Sequence, residues 1–181
     1  TKGVDVTEAR NFDTCEHKVV FADMEGRSDK GPAYDVKLAT PVLLTAKAVV
    51  LNIVCPTRPS KVQILEMLEI SMEASRQVSN RRDRTDMFGH LHVVLRGCTN
   101  TEDECHKIIF GREDPGLAET DDEETAMNER NTIRGAIQCA FEGEPRVWCV
   151  PAVQSAGESF NYADVSYAAK IDEMRRKLLE Q

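Results

Sequence analysis

The sequence predicts an α/β domain with a mainly parallel sheet, and three observations carry that expectation. Short apolar runs recur at "HKVVFAD" (17–23), "AVVLNIV" (48–54), "LHVVLR" (91–96) and "RVWCVP" (146–151), each with the length and composition of a strand. The longer segments between them repeat apolar residues at helical spacing. The whole chain, 181 residues, suffices for one domain with a sizeable core.

Taken in order, Thr1-Lys2-Gly3 leads through a short extended stretch into the first strand, which ends at Asp23. An amphipathic segment over 33–47 precedes the second strand, 48–54. A helix follows over 60–78, with Ser60 as its N-cap and Val62, Leu65, Leu68 and Met72 as its apolar stripe. The third strand, 91–96, ends at Arg96. Residues 111–124 carry seven acids against one base and almost no large apolar side chain, which predicts a mobile acidic surface loop. From Thr125 to Phe141 a second long helix is expected, with Ile133, Ala136, Ile137, Ala140 and Phe141 on one side and Gly143 and Pro145 as its stop. The last strand ends at Pro151, and a final helix places Val165, Ala168, Ile171, Met174 and Leu178 together. Runs as apolar as these four suit strands covered on both faces. Ligands of such sheets bind beyond the carboxyl ends of the strands, where Asp23, Arg96 and Pro151 fall.

Composition narrows the function classes. The balance of 23 basic against 31 acidic side chains, net −8, argues against nucleic acid or an anionic membrane as partner. No apolar stretch reaches the ~20 residues that cross a bilayer, so a cytoplasmic protein is expected. The six cysteines show no C-x-x-C spacing, and Cys55, Cys139 and Cys149 lie within apolar runs. They are expected to be reduced thiols packed as small hydrophobes rather than disulfides or zinc ligands. His90 and His92 are expected in core or surface roles rather than as joint metal ligands.

One tetrapeptide carries chemistry. Asp23-Met24-Glu25-Gly26 has the D-x-x-G spacing of phosphate switches. A carboxylate at a strand end can hold Mg2+, usually through water, and a glycine three residues on lets a backbone N–H approach a terminal phosphate with no Cβ in the way. By itself the spacing is more often that of an ordinary acidic turn after a strand.

The surrounding order is more telling. Thr1-Lys2-Gly3, then Asp23-Met24-Glu25-Gly26, then "HVVLRG" (92–97), then "TIRGAIQCAFEGEPRVWCVPAV" (132–153) and the closing "FNYADV" and "IDEMRRKLLEQ" stretches resemble the GTPase domain of guanylate-binding proteins and atlastins, large GTPases of the dynamin superfamily. The resemblance spans nearly the whole chain. It implies a three-layer P-loop GTPase-like fold, with residues 1–181 a single partial domain that lacks its first strand, phosphate loop and first helix. It implies Mg2+-dependent hydrolysis of GTP, with Thr1 as the switch threonine that contacts Mg2+ and helps place the attacking water. Asp23 would hold Mg2+ through water, the Gly26 N–H would meet the γ-phosphate, and Arg96 would lay its guanidinium plane against the purine. A nucleotide-dependent homodimer is a further implication, with membrane contact made only through regions outside this chain.

Two departures accompany the match. The family's base-reading Asp falls at Gly97, which removes an acceptor worth roughly 1–3 kcal/mol; Glu102 and Asp103 stand nearest as substitutes. The sequence contains no G-x-x-x-x-G-K-[ST] loop, so these residues alone are expected not to hydrolyse GTP. Two rival readings follow: a degenerate pseudo-GTPase serving as a binding or assembly module, and an unrelated α/β interaction domain in which D-x-x-G is coincidence.

Overall fold

The computed structural model describes residues 4–8, 10–12, 15–24, 32–55, 58–78, 86–151, 155–156, 159–160 and 165–180. Its centre is a three-stranded parallel sheet of β5 (Ala48–Val54), β6 (His90–Arg96) and β7 (Arg146–Val150), paired in chain order. Ala48 faces His90 and Val54 faces Arg96 in one ladder; His92 faces Arg146 and Arg96 faces Val150 in the other. These strands stand where the apolar runs place them, because β-branched side chains pack on a pleated surface.

Helices α1 (Pro32–Thr45), α2 (Lys61–Val78), α3 (Glu102–Phe110) and α4 (Asp121–Ala140) contribute to the main core, together with one face of the sheet. Val36 and Leu43 of α1, Ile64, Leu65, Leu68 and Met72 of α2, Ile109 of α3 and Ile137 of α4 bury against Leu91, Val93, Leu95 and Val147. The opposite face belongs to α5 (Val165–Leu179), whose Tyr167, Ile171 and Met174 pack on Val94, Trp148 and Val150. His92 is buried on this face and accepts a 2.9 Å hydrogen bond at Nδ1 from Trp148 Nε1.

The strand expected over 17–23 is two strands. β3 (Cys15–Val19) pairs antiparallel with β2 (Arg10–Phe12), and β4 (Ala22–Met24) pairs antiparallel with β1 (Val4–Val6). Thr7 and Phe21 join the two ladders: the Thr7 N–H donates to the Phe21 carbonyl, and the Phe21 N–H to Thr7 Oγ1. Val6, Val20 and Phe21 are exposed, so this ribbon is not covered on both faces as its apolar run suggests. Beyond β7, β8 (Ser155–Ala156) and β9 (Ser159–Phe160) form a minimal hairpin.

Several helices differ from expectation. On α2, Val62 is exposed and Ile64 takes its place in the core, while Ser60 stays at the cap, with the Gln63 N–H 3.4 Å from its hydroxyl. On α5, Tyr167 packs inward and Ala168 faces solvent. Helix α4 begins four residues early, at Asp121, because Thr120 caps it and four acids fill its first turn, where the helix dipole favours them. The expected loop over 111–124 is therefore non-α-helical only through Thr120, with a short 3-10 turn at Pro115–Leu117. Glu113 anchors that stretch. Its carboxylate takes two hydrogen bonds from Arg130, one from Arg134 and an ion pair from Lys61, and Asn131 holds its backbone from both sides.

Candidate functional site

The parallel strands bring three chain segments to one end of the sheet. Past Val54, the Cys55 N–H donates to the Arg96 carbonyl at 2.8 Å; past Arg96, the Gly97 N–H donates to the Val150 carbonyl at 2.8 Å. Each strand thus locks the start of the next turn. Gly97 turns at φ +82°, the left-handed region where a Cβ is strained, so the residue at the expected base-reading position is conformationally suited to glycine.

Arg96 is exposed at the end of β6. It borders a crevice of about 200 Å3 shared with Val50, Asn52, Val94 and Val150 of the sheet and Tyr167, Ile171 and Met174 of α5. The lining is mostly apolar, with one guanidinium, one amide and the Tyr167 phenol. Its volume is below the roughly 300–1,000 Å3 of ordinary small-molecule sites.

Asp23 is exposed on β4, directly opposite Asp5 of β1. Sequence reasoning passed over Asp5, although an acid in the strand that pairs with a D-x-x-G strand is a readable signal. Like charges facing across a ladder destabilise it by a few tenths of a kcal/mol to ~1 kcal/mol, and a cation between them relieves the repulsion. Their oxygen-only donors fit the hard chemistry of Mg2+. Among the described residues, however, β4 is hydrogen-bonded to β1 and not to β5, so no shared ladder ties Asp23 to Arg96. Thr1 and Gly26 lie outside the described residues.

Of the substitute base readers, Glu102 and Asp103 belong to the first turn of α3, not to a loop. Thr101 and Glu104 form a reciprocal capping box there: the Glu104 N–H donates to Thr101 Oγ1 at 3.3 Å, and the Thr101 N–H to Glu104 Oε2 at 2.9 Å. Glu102 is already engaged, accepting from the Cys149 N–H at 3.2 Å and pairing with Lys170 Nζ at 2.6 Å. Asp103 is exposed.

Beside Gly97 the structure assembles a group that the cysteine spacing concealed. Cys98 Sγ lies 3.5 Å from Cys105 Sγ, and Cys149 Sγ lies 3.6 Å from Cys105 Sγ. Burial pushes the Cys149 thiol up to about 11. Burial, with hydrogen bonds to the neighbouring sulfurs, also raises the Cys105 thiol well above its ordinary range. Cys55 is buried in the core as expected, whereas Cys139 is exposed.

No protein-family profile matches this chain, and neither does any curated protein.

Proposed function

We propose that the chain is the distal part of a GTPase domain of the guanylate-binding protein and atlastin type, which hydrolyses GTP with Mg2+ when completed by a phosphate loop. What carries this reading is the order of its motifs: Thr1-Lys2-Gly3, then Asp23 and Gly26, then Arg96-Gly97. The fold is compatible with that order, since Asp23 lies within β4 of the ribbon, one residue before its end, and Arg96 ends the central strand of a parallel sheet. Asp23, with Asp5 opposite, would hold the cation, and Arg96 would stack on the base.

The reading requires a glycine-rich Gly-Lys-Ser/Thr loop from outside these 181 residues. The edge of β5 away from β6 has no ladder partner among the described residues, and Val50 and Val54 beside it are exposed. A further parallel strand bearing the loop would pair there and cover them. Mg2+ would supply charge neutralisation at the phosphates, with Asp23 and Asp5 positioned to hold it and Arg96 to stack on the base.

Gly97 favours a second reading. Without a carboxylate there, and with Glu102 held by Lys170, a pseudo-GTPase that binds nucleotide weakly and serves assembly fits the same fold. Phosphate release by the protein carrying its phosphate loop separates the two. Mg2+-dependent turnover of GTP that falls at least ~100-fold in Asp23→Ala supports the enzyme. Absence of turnover supports the assembly module, and turnover by the 181 residues alone contradicts the requirement for an external loop.

A further inference from the structure

We propose that Cys98, Cys105 and Cys149 form a thiolate site for a zinc-class divalent cation, independent of any nucleotide. The three sulfurs lie within 4.8 Å of one another, with two of the separations at 3.5 and 3.6 Å. At a Zn–S length of about 2.3 Å, tetrahedral ligation sets sulfur–sulfur edges of about 3.8 Å. The trio is thus within a few tenths of an ångström of two of those edges, and a cation drawing the sulfurs together sets the third.

The scaffold holds two of the ligands on regular elements and the third on the turn after β6. Cys98 follows Gly97, which is fastened to β7 by its hydrogen bond to Val150; Cys105 rides on the capped helix α3; Cys149 lies within β7, its N–H held by Glu102. Helices and strands keep ligand geometry better than loops, which favours Cys105 and Cys149, while the Gly97–Val150 hydrogen bond steadies the turn that carries Cys98. Cys105 is buried while Cys98 and Cys149 are partly exposed, so the site borders solvent, from which a water would complete a tetrahedral set.

Two ordinary explanations account for less. Thiols packed as small hydrophobes need not converge, yet residues separated by 7 and 44 positions place three sulfurs at one point. A disulfide would join two of them at about 2.05 Å and leave the third over. Binding exchanges the thiol protons for the cation, and the ligated trio would staple the turn after Arg96 to α3 and β7.

The test is a titration of the reduced 181-residue chain, under anaerobic conditions, with Co2+ alone. The expected result is one equivalent bound, with thiolate-to-cobalt charge-transfer absorption in the near ultraviolet that Zn2+ abolishes by displacement. Cys98→Ser, at a half-buried position, is expected to weaken binding more than about a hundredfold, beyond the effect of an outer-shell change. Cys139→Ser leaves it unchanged. Circular dichroism of Cys98→Ser confirms its fold, and equimolar Zn2+ should raise the Tm of the parent chain but not of this variant. Folded parent chain that shows no charge-transfer band at two equivalents of Co2+ overturns the proposal, as does a band that survives Cys98→Ser at full affinity.

Discussion

Single residues decide most of what this chain can do, and Gly97 and Glu113 show it in opposite ways. Gly97 occupies a left-handed turn where the resembled family carries an acid, so Gly97→Asp has two expected effects. The strained backbone lowers stability by ~1–2 kcal/mol. The restored acceptor raises preference for GTP over ATP by tenfold or more in the loop-bearing protein, read by competition binding. Glu113 is a half-buried hub: its side chain is 14% exposed, and Arg134 beside it is 3% exposed. The Arg130 hydrogen bonds above all, helped by Lys61 and Arg134 against the opposing effect of burial, hold its carboxyl well below the ordinary 4.5. A carboxyl lowered on folding binds protons more readily in the unfolded chain, so Glu113 stabilises the fold above pH 4.5. That contribution drains away as the pH falls below 4.5 towards the folded-state value. Glu113→Gln is expected to cost about 3 kcal/mol at pH 7, because it leaves Arg134 buried without its anion, and to flatten the acid limb of the stability curve. Urea denaturation from pH 7 to 3 checks both, and an acid limb unchanged in the variant contradicts the assignment.

At the scale of elements, what was legible depended on how much of each signal was local. The runs 48–54, 91–96 and 146–151 became β5, β6 and β7 with at most a one-residue change at either end, since their apolar composition needs no context. Helix α3 was missed. Its residues Glu102–Phe110 open with three acids and bury only Cys105, Ile109 and Phe110, too short a stripe for periodicity to register. The signal present was Thr101 followed three residues later by Glu104, a capping box. Thr101→Ala is expected to cost ~1 kcal/mol by chemical denaturation. Should the cysteine site form, the same change weakens Co2+ binding, because α3 carries Cys105. The acidic start of α4 was misread for a related reason: charge alone suggested a loop, while its position at a helix N-terminus made it favourable. The cysteine trio was invisible because three-dimensional convergence leaves no spacing in the chain, and the ladder that places Cys149 beside the β6 turn is long-range.

Across the whole molecule the two sheet faces are unequal, and the sequence did not announce it. One face is buried under four helices, while on the other α5 covers β6 and β7 and leaves Val50 and Val54 of β5 at 46% and 66% exposed. Apolar content alone cannot say whether a face is covered by its own chain or by another segment. An exposed valine contributes little, so Val50→Asp is expected to change the stability of the 181-residue chain by under ~0.5 kcal/mol. Under the GTPase proposal, a phosphate-loop strand would pair beside Val50, the same change would bury a charge there, and GTP binding is expected to fall more than tenfold. The described residues contain no helix long and apolar enough to cross a membrane. The most direct test of the account is calorimetric titration of GTP into the loop-bearing protein with and without Mg2+, for the parent and for Asp23→Ala. The expected result is binding that depends on Mg2+ and is lost in Asp23→Ala; no binding by the parent, or equal binding by both, would contradict the GTPase proposal.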